Sequence, residues 1–376
     1  MTEWLTREQA LERLNVRPQT LYAYVSRGRI GMKPDEADPR RSQYRADDIA
    51  ALATRRDRGR SPQAIAESAI AWGEPAIATS ISTVLHGRLI YRGKDAVEFS
   101  ATATLEETAG LLWASGRPVS FASLTPSAAG QSGTPTAFAR LSALAAEGWP
   151  SLGRRPAMLQ QDGAAATSAL ATALGATPGS EPVHARLAQG WSVEDDGADL
   201  IRKALVLLAD HELNASTFAS TGAPIAACLL AGLATLIGPR HGGAGAAAIA
   251  LVEDAERLGA DEAIARWLAH DRPLPGFGHP LYPEGDPRAE GVFSGLEIDE
   301  GLSRLRKAVL AATGLHPNID FALAAITRSL RLPADAPFRL FALGRSVGWT
   351  AHAIEQVTSN RLIRPRARYD GPIGAG

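Results

Sequence analysis

The chain has 376 residues, 45% hydrophobic and 21% charged, with a formal net charge of −1. That length suggests two or three domains with ample apolar material for a core, and near-neutrality gives no overall pull towards nucleic acid or membrane. The single cysteine, Cys228, excludes an internal disulfide, and there is neither an apolar signal core nor an apolar run of about 18 residues, so a cytoplasmic protein without a membrane span is expected.

The charge is unevenly spread. Residues 1–60 carry 13 Lys and Arg against 9 Asp and Glu, a net of +4, while the remainder carries 26 against 31, a net of −5. Thr6 and Gln9 form a T-x-x-Q cap ahead of Ala10, Leu11 and Leu14, which share a helix face. After a turn at Asn15-Val16-Arg17, Pro18 opens a second helix with the stripe Leu21, Tyr22 and Val25. A loop containing Pro34 and Pro39 follows, and a third helix begins at Ile49 and Leu52. This order resembles the winged helix-turn-helix of the MerR and excisionase type, over residues 1–58. The resemblance implies that Gln19, Thr20 and Tyr22 face bases, with Arg27, Arg29, Arg40 and Arg41 on phosphates. A module that only docks on its partner domain remains open. The charged stretch Arg55–Gln63 reads as connection, with the linker set at 59–66.

From Thr79 to Phe99, β-branched and aromatic residues flank His86-Gly87, the signature of a short hairpin with His86 in its turn. Thr104 and Glu107 form a second capping box. Beyond it the pattern is helical throughout: Thr136–Glu147, Ala164–Leu174, Ala198–Leu208, Ile225–Ile237, Ala246–Leu258, Asp261–His270, Leu302–Thr313, Phe321–Leu330 and Phe338–Thr358. Residues 149–163 and 175–183 read as loops. The fold class is therefore all-α after the N-terminal module.

Five islands of unusual chemistry interrupt these helices. LIGPRHGGAG surrounds His241 with glycines that could let the backbone approach a ligand. ADHELNASTFAS carries Asp210, His211, Glu212 and Asn214. LPGFGHPLYPEGDPRA holds His279 and Arg288 in a loop too rich in proline and glycine for regular structure. In HPNIDFALAA, Asn318 can cap a helix with Asp320 in its first turn. FALGRSVGWTAHAIEQ places Arg345 and His352 two turns apart on one face, and RLIRPRARYDGP brings Arg364, Arg366 and Arg368. Each also has a plain structural reading: Asp320 favouring the helix dipole, His211 satisfied in the core, His352 beside Glu355 at the surface. Together they supply histidines, a carboxylate and arginines suited to an anionic substrate and proton transfer. No H-E-x-x-H, paired C-x-x-C, P-loop or strand-borne GxGxxG occurs, so no metal site is expected.

DHELNAS, GPRHGGA, PGFGH with DPRA, PNIDF, GRSVGWTAHAIEQ and RPRARYDGP occur in the order and approximate spacing of the citrate synthase family, which residues 66–376 resemble. The resemblance implies a large helical domain (67–241 and 326–376) and a small one (242–325). It also implies condensation of acetyl-CoA or propionyl-CoA with oxaloacetate to citrate or 2-methylcitrate, the coenzyme A thioester being a substrate and no cofactor being bound permanently. Mapped residue by residue, His241 would bond the thioester carbonyl, Asp320 would take the methyl proton and His279 would polarise the ketone. His211, Arg288 and Arg345 would hold the carboxylates of oxaloacetate, with Arg364 delivered from the neighbouring subunit of a homodimer. Leu274, Pro275, Gly276, Phe277 and Gly278 would cradle the adenine end of coenzyme A. Pro280-Leu281-Tyr282-Pro283 departs from the Arg-Val-Tyr that usually follows the histidine of His279, and the stretch after NASTFA is about five residues short. A second reading is a DNA-binding regulator whose citrate synthase-like domain senses coenzyme A esters or oxaloacetate.

Overall fold

The computed structural model describes residues 4–14, 21, 25, 30–34, 42–50, 77–123, 132–213, 222–238, 241–269 and 274–360. Thr79–Ile363 forms one compact unit, and the rest of the chain another. The expected linker at 59–66 lies outside the described residues.

In the N-terminal unit, strand β1 (Trp4–Leu5) leads into helix α1 (Arg7–Leu14), followed by β2 (Met32–Pro34) and β3 (Ser42–Arg45). The cap is reciprocal: the Thr6 amide donates to Gln9 Oε1 at 2.8 Å, and the Gln9 amide to Thr6 Oγ1 at 3.3 Å. The sheet order is β1-β3-β2, all antiparallel, with Tyr44 opposite both Leu5 and Met32. Segment 30–34, expected as loop, is thus partly paired strand. Leu5, Ala10, Leu14, Leu21, Ile30, Tyr44, Ala46 and Ile49 make its core. Gln19, Thr20, Tyr22, Arg27, Arg29, Arg40 and Arg41 lie outside the described residues.

The second unit opens with β4 (Ser82–Leu85), β5 (Arg88–Tyr91) and β6 (Lys94–Asp95) in an antiparallel meander. His86 and Gly87 both have positive φ, 50° and 73°, as a two-residue hairpin turn of the primed kind requires. The expected single hairpin gains a third strand because Arg92 and Gly93 repeat that backbone at φ 42° and 85°.

Everything beyond is helical, apart from connections and two isolated bridges among the described residues. The helices are α2 (Ala96–Ser100), α3 (Leu105–Leu112), α4 (Thr134–Glu147), α5 (Pro156–Ala173), α6 (Val183–Gly190), α7 (Asp195–Leu208), α8 (Ile225–Leu236), α9 (Gly243–Leu258), α10 (Ala260–Leu268), α11 (Pro287–Phe293), α12 (Glu300–Thr313), α13 (Ile319–Ser329) and α14 (Ala336–Ser359). The capping box of Thr104 and Glu107 starts α3 as expected. The loop expected over 149–163 is helix from Pro156 onward. Its Gly163 hides the pattern because a Cβ there would lie 2.5 Å from Thr350 Cγ2; the glycine serves close packing on α14. Helix α6, whose sequence VHARLAQG mixes polar and apolar residues, was not expected.

Helix α14 is buried along most of its length and packs on α5, α7 and α8. Gly344 lets it cross α7 in backbone contact, since a Cβ would fall 2.9 Å from the Leu205 carbonyl oxygen. That close crossing brings Arg345 and His352 against the residues that follow α7.

Candidate active site

The turn after α7 is braced from two sides. Ser82 Oγ, on β4, donates to Asp210 Oδ2 at 2.5 Å and accepts the Glu212 amide at 2.9 Å. Glu212 stands at φ 56° and holds β4 in return, accepting from the Val84 amide at 2.8 Å. From α14, His352 Nε2 lies 3.0 Å from Asp210 Oδ2, both side chains being buried. Between these anchors sits His211. The surface position that remained open for His352 is therefore not the one it occupies; Asn214 lies outside the described residues.

The loop before α11 is as firmly tied. Asn318 caps α13, accepting from the Asp320 and Phe321 amides at 3.0 and 3.4 Å. Its own Nδ2 donates to the Gly278 carbonyl at 2.9 Å, and its amide to Gly276. Gly276 has φ 80°, and a Cβ there would meet Phe321 Cβ at 2.9 Å. Leu274 and Phe277 point into the core, Phe277 lying 4.7 Å from the Phe321 ring. Within residues 274–278, only Pro275 and Gly278 keep partial exposure, so a ligand along that stretch would meet mainly backbone. Asp286 caps α11 and grips Arg288 through two bonds, Nε at 2.9 Å and Nη2 at 2.8 Å. It also accepts the Ile319 amide at 3.0 Å, joining α11 to the start of α13.

These anchors bring together residues far apart in sequence. The His211 and His279 rings lie 5.1 Å apart, edge to face, and Tyr282 packs on both at 5.5 and 4.9 Å. Tyr282 OH is 2.9 Å from His211 Nε2, and the Arg288 guanidinium lies over the phenol ring at 5.5 Å. His241 precedes α9, its ring 5.4 Å from Phe341, and Arg345 covers the same Phe341 at 4.9 Å. Arg345 Nε donates to the Leu208 carbonyl, and its two Nη nitrogens have no hydrogen-bond partner among the described residues. The Asp320 carboxylate likewise accepts no hydrogen bond from a described residue. The glycines after His241 serve packing: a Cβ on Gly242 would lie 2.5 Å from the Leu236 carbonyl oxygen, and one on Gly245 would lie 2.7 Å from Pro337.

Burial sets the charge states. It lowers the pKa of His241 to about 4, helped by Arg345, and that of His279 to about 4, helped by Arg288. Burial, then Arg288 and Arg345, carries His211 well below its ordinary value. All three imidazoles are neutral at neutral pH. Burial raises Asp320 to about 6; Arg288 opposes that shift and Asp286 adds to it. Burial works against the charge on Arg288, yet Asp286 holds it above the usual range. Sequence reasoning missed Tyr282, Asp286, Phe341 and the bond between Asp210 and His352. Of these, Asp286 had a local signal, an Asp-Pro pair at a helix start. Arg364 lies outside the described residues, and among those described no three His, Cys, Asp or Glu side chains converge to hold a metal.

The helical fold has counterparts. The family model of the citrate synthase C-terminal domain matches residues 152–366. By that match over more than half its length, the chain belongs to the citrate synthase family. It is 38% identical over 193 residues to citrate synthase 2 of Bacillus subtilis, covering 46% of this chain and 51% of that protein. It is 36% identical over 188 residues to the 2-methylcitrate synthase of Shewanella oneidensis, covering 45% and 49%. The chain thus spans about half the length of the curated relatives it matches. Among solved structures, citrate synthase from Thermotoga maritima superposes with a TM-score of 0.65 at 26% identity, covering 81% of this chain and 96% of that one. A ternary complex of carboxymethyl coenzyme A and oxaloacetate with citrate synthase from Thermoplasma acidophilum gives 0.64 at 24% identity, with the same coverage.

Proposed function

We propose that the chain condenses acetyl-CoA or propionyl-CoA with oxaloacetate, giving citrate or 2-methylcitrate and free coenzyme A. What carries the reading is one constellation: Asp320 with a raised pKa and no hydrogen bond to its carboxylate among the described residues, two neutral histidines able to act as donors, and Arg345, whose Nη nitrogens have no hydrogen bond there either. Asp320 removes a proton from the carbon next to the thioester carbonyl. A base near pKa 6 is suited to that at neutral pH. The His241 N–H donates to the enolate oxygen as it forms, and a neutral imidazole is the appropriate donor because it need not lose a charge. The enolate carbon then bonds to the ketone carbon of oxaloacetate, while the His279 N–H donates to the ketone oxygen. Water finally cleaves the thioester and releases the thiol. Arg345 forks a carboxylate of oxaloacetate, joined by His211 and the remaining donors of Arg288. Pro275 to Gly278 would line the coenzyme, and closure of the small helical domain on the large one would exclude water. Arg364 would reach the site from the neighbouring subunit of a homodimer. Following free thiol with oxaloacetate and each acyl-CoA tests this; no release from either, with correctly folded protein, overturns it.

For the N-terminal unit we infer a winged helix-turn-helix. Support comes from the capped α1, helical backbone at Leu21 and Val25, and the antiparallel strands β2 and β3 around one small core. If it contacts phosphates, retention of DNA should weaken as salt rises. No retention at low salt would leave it a docking module.

A further inference from the structure

Two histidines of the site have their ring protons set by one short loop. The Leu281 amide donates to His279 Nδ1 at 3.1 Å, so the His279 proton is on Nε2. One residue further on, Tyr282 OH stands 2.9 Å from His211 Nε2. A phenol is a stronger acid than a neutral imidazole N–H, so the phenol donates; burial raises its pKa and keeps that proton in place. His211 is then left with its proton on Nδ1, which has no hydrogen bond to any described residue.

We propose that Tyr282 is a positioning residue: its hydroxyl selects the Nδ1–H tautomer of His211, and its ring holds the imidazole planes of His211 and His279. The loop Pro280-Leu281-Tyr282-Pro283 therefore leaves the two histidines in opposite tautomers, each with one N–H that bonds no described residue and can turn to the substrate. The ring role rests on centroid distances of 5.5 and 4.9 Å, and the Arg288 guanidinium on the phenol fixes the ring in turn. A wrong tautomer at His211 would aim a lone pair, not a donor, at a carboxylate. The consequence for oxaloacetate rests on the function proposed above; the tautomer assignment does not.

The test is nitrogen-15 NMR of the histidine rings, with His211→Gln and His279→Gln used for assignment. The wild type should give an Nδ1–H pattern for His211 and an Nε2–H pattern for His279. Tyr282→Phe keeps the ring, so the protein should fold, and His211 should move towards the Nε2–H pattern while His279 is unchanged. Calorimetry with oxaloacetate should show binding weakened about tenfold in Tyr282→Phe, the loss expected for one orienting hydrogen bond in a buried site. The acyl-CoA KM should not move. Tyr282→Leu should in addition lower kcat, since His279 loses its supporting ring. An Nε2–H pattern for His211 in the wild type, or no change in Tyr282→Phe, overturns the assignment. If the wild type shows the expected tautomers but binds no oxaloacetate, the function reading fails and the tautomer assignment stands.

Discussion

His352 Nε2 lies 3.0 Å from Asp210 Oδ2, and both side chains are buried between the end of α7, strand β4 and α14. The other carboxylate oxygen, Oδ1, is buried with no hydrogen-bond partner among the described residues, above Gly348, where a Cβ would approach it to 2.4 Å. Asp210 is therefore satisfied on one side only, by His352 and Ser82. Burial opposes its charge, yet these partners hold its pKa below the ordinary value.

His352→Leu should accordingly destabilise the protein by about 3 kcal/mol, because it strands a buried carboxylate. Asp210→Asn, which removes the charge and keeps an acceptor, should cost less. Since the folded pKa of Asp210 is depressed, its contribution is full above about pH 4 and is lost as pH falls through the folded value. Urea unfolding at pH 7 and in mild acid checks this. Equal losses for both variants would mean that the charge is irrelevant.

Asp320 behaves in the opposite sense. Its folded pKa is raised from 3.8 to about 6, so its contribution to stability falls as pH rises from about 4 to about 6 and is flat above. Asp320→Asn should therefore be more stable at pH 7, by up to about 3 kcal/mol, while activity drops about 10²–10⁴-fold. The wild-type pH profile of kcat/KM should carry an acid limb near 6, and the variant should lose it. His241 and His279, at about 4, should add no limb above pH 5.

The glycines after His241 yield a steric prediction. Gly242 has an ordinary helical backbone, φ −67°, so alanine there meets no conformational strain. It would nevertheless press on the Leu236 carbonyl, the Leu236 side chain and Phe338, at 2.5, 2.9 and 2.9 Å. Gly242→Ala should cost about 1–3 kcal/mol and displace His241, lowering kcat. A stable, fully active variant would show that the turn has slack.

Legibility in the sequence followed locality. Asp320 and its cap Asn318 could be read because a helix start is a local signal, and the Thr104–Glu107 box likewise. Tyr282 bonds His211 from 71 positions away and His352 bonds Asp210 from 142, distances that no periodicity reports. The first turns of α5 were hidden for a related reason. Gln160 and Asp162 look like loop residues, but one bonds the Trp113 carbonyl and the other Arg154. In the sequence the glycines around His241 suggest room for a ligand, whereas in the fold Gly242 and Gly245 make room for α8 and α14; the residue type is informative, its partner is not.

The assembly prediction concerns Arg364, which the family resemblance assigns to a neighbour's oxaloacetate site. The sequence around it is basic and broken by Pro365 and Gly371, and shows no apolar stripe to pack it as its own helix. In a symmetric dimer each chain would donate one such arm and receive one. Arg364→Ala and Asp320→Asn should each be nearly inactive alone. In a mixed dimer, one site combines an intact Asp320 with an intact Arg364 from the other chain, and the second site lacks both. Co-refolding the two variants should therefore restore a part of the wild-type thiol release. Confirmed chain exchange without recovery would place Arg364 in its own subunit's site. Full activity of Arg364→Ala by itself would remove it from either.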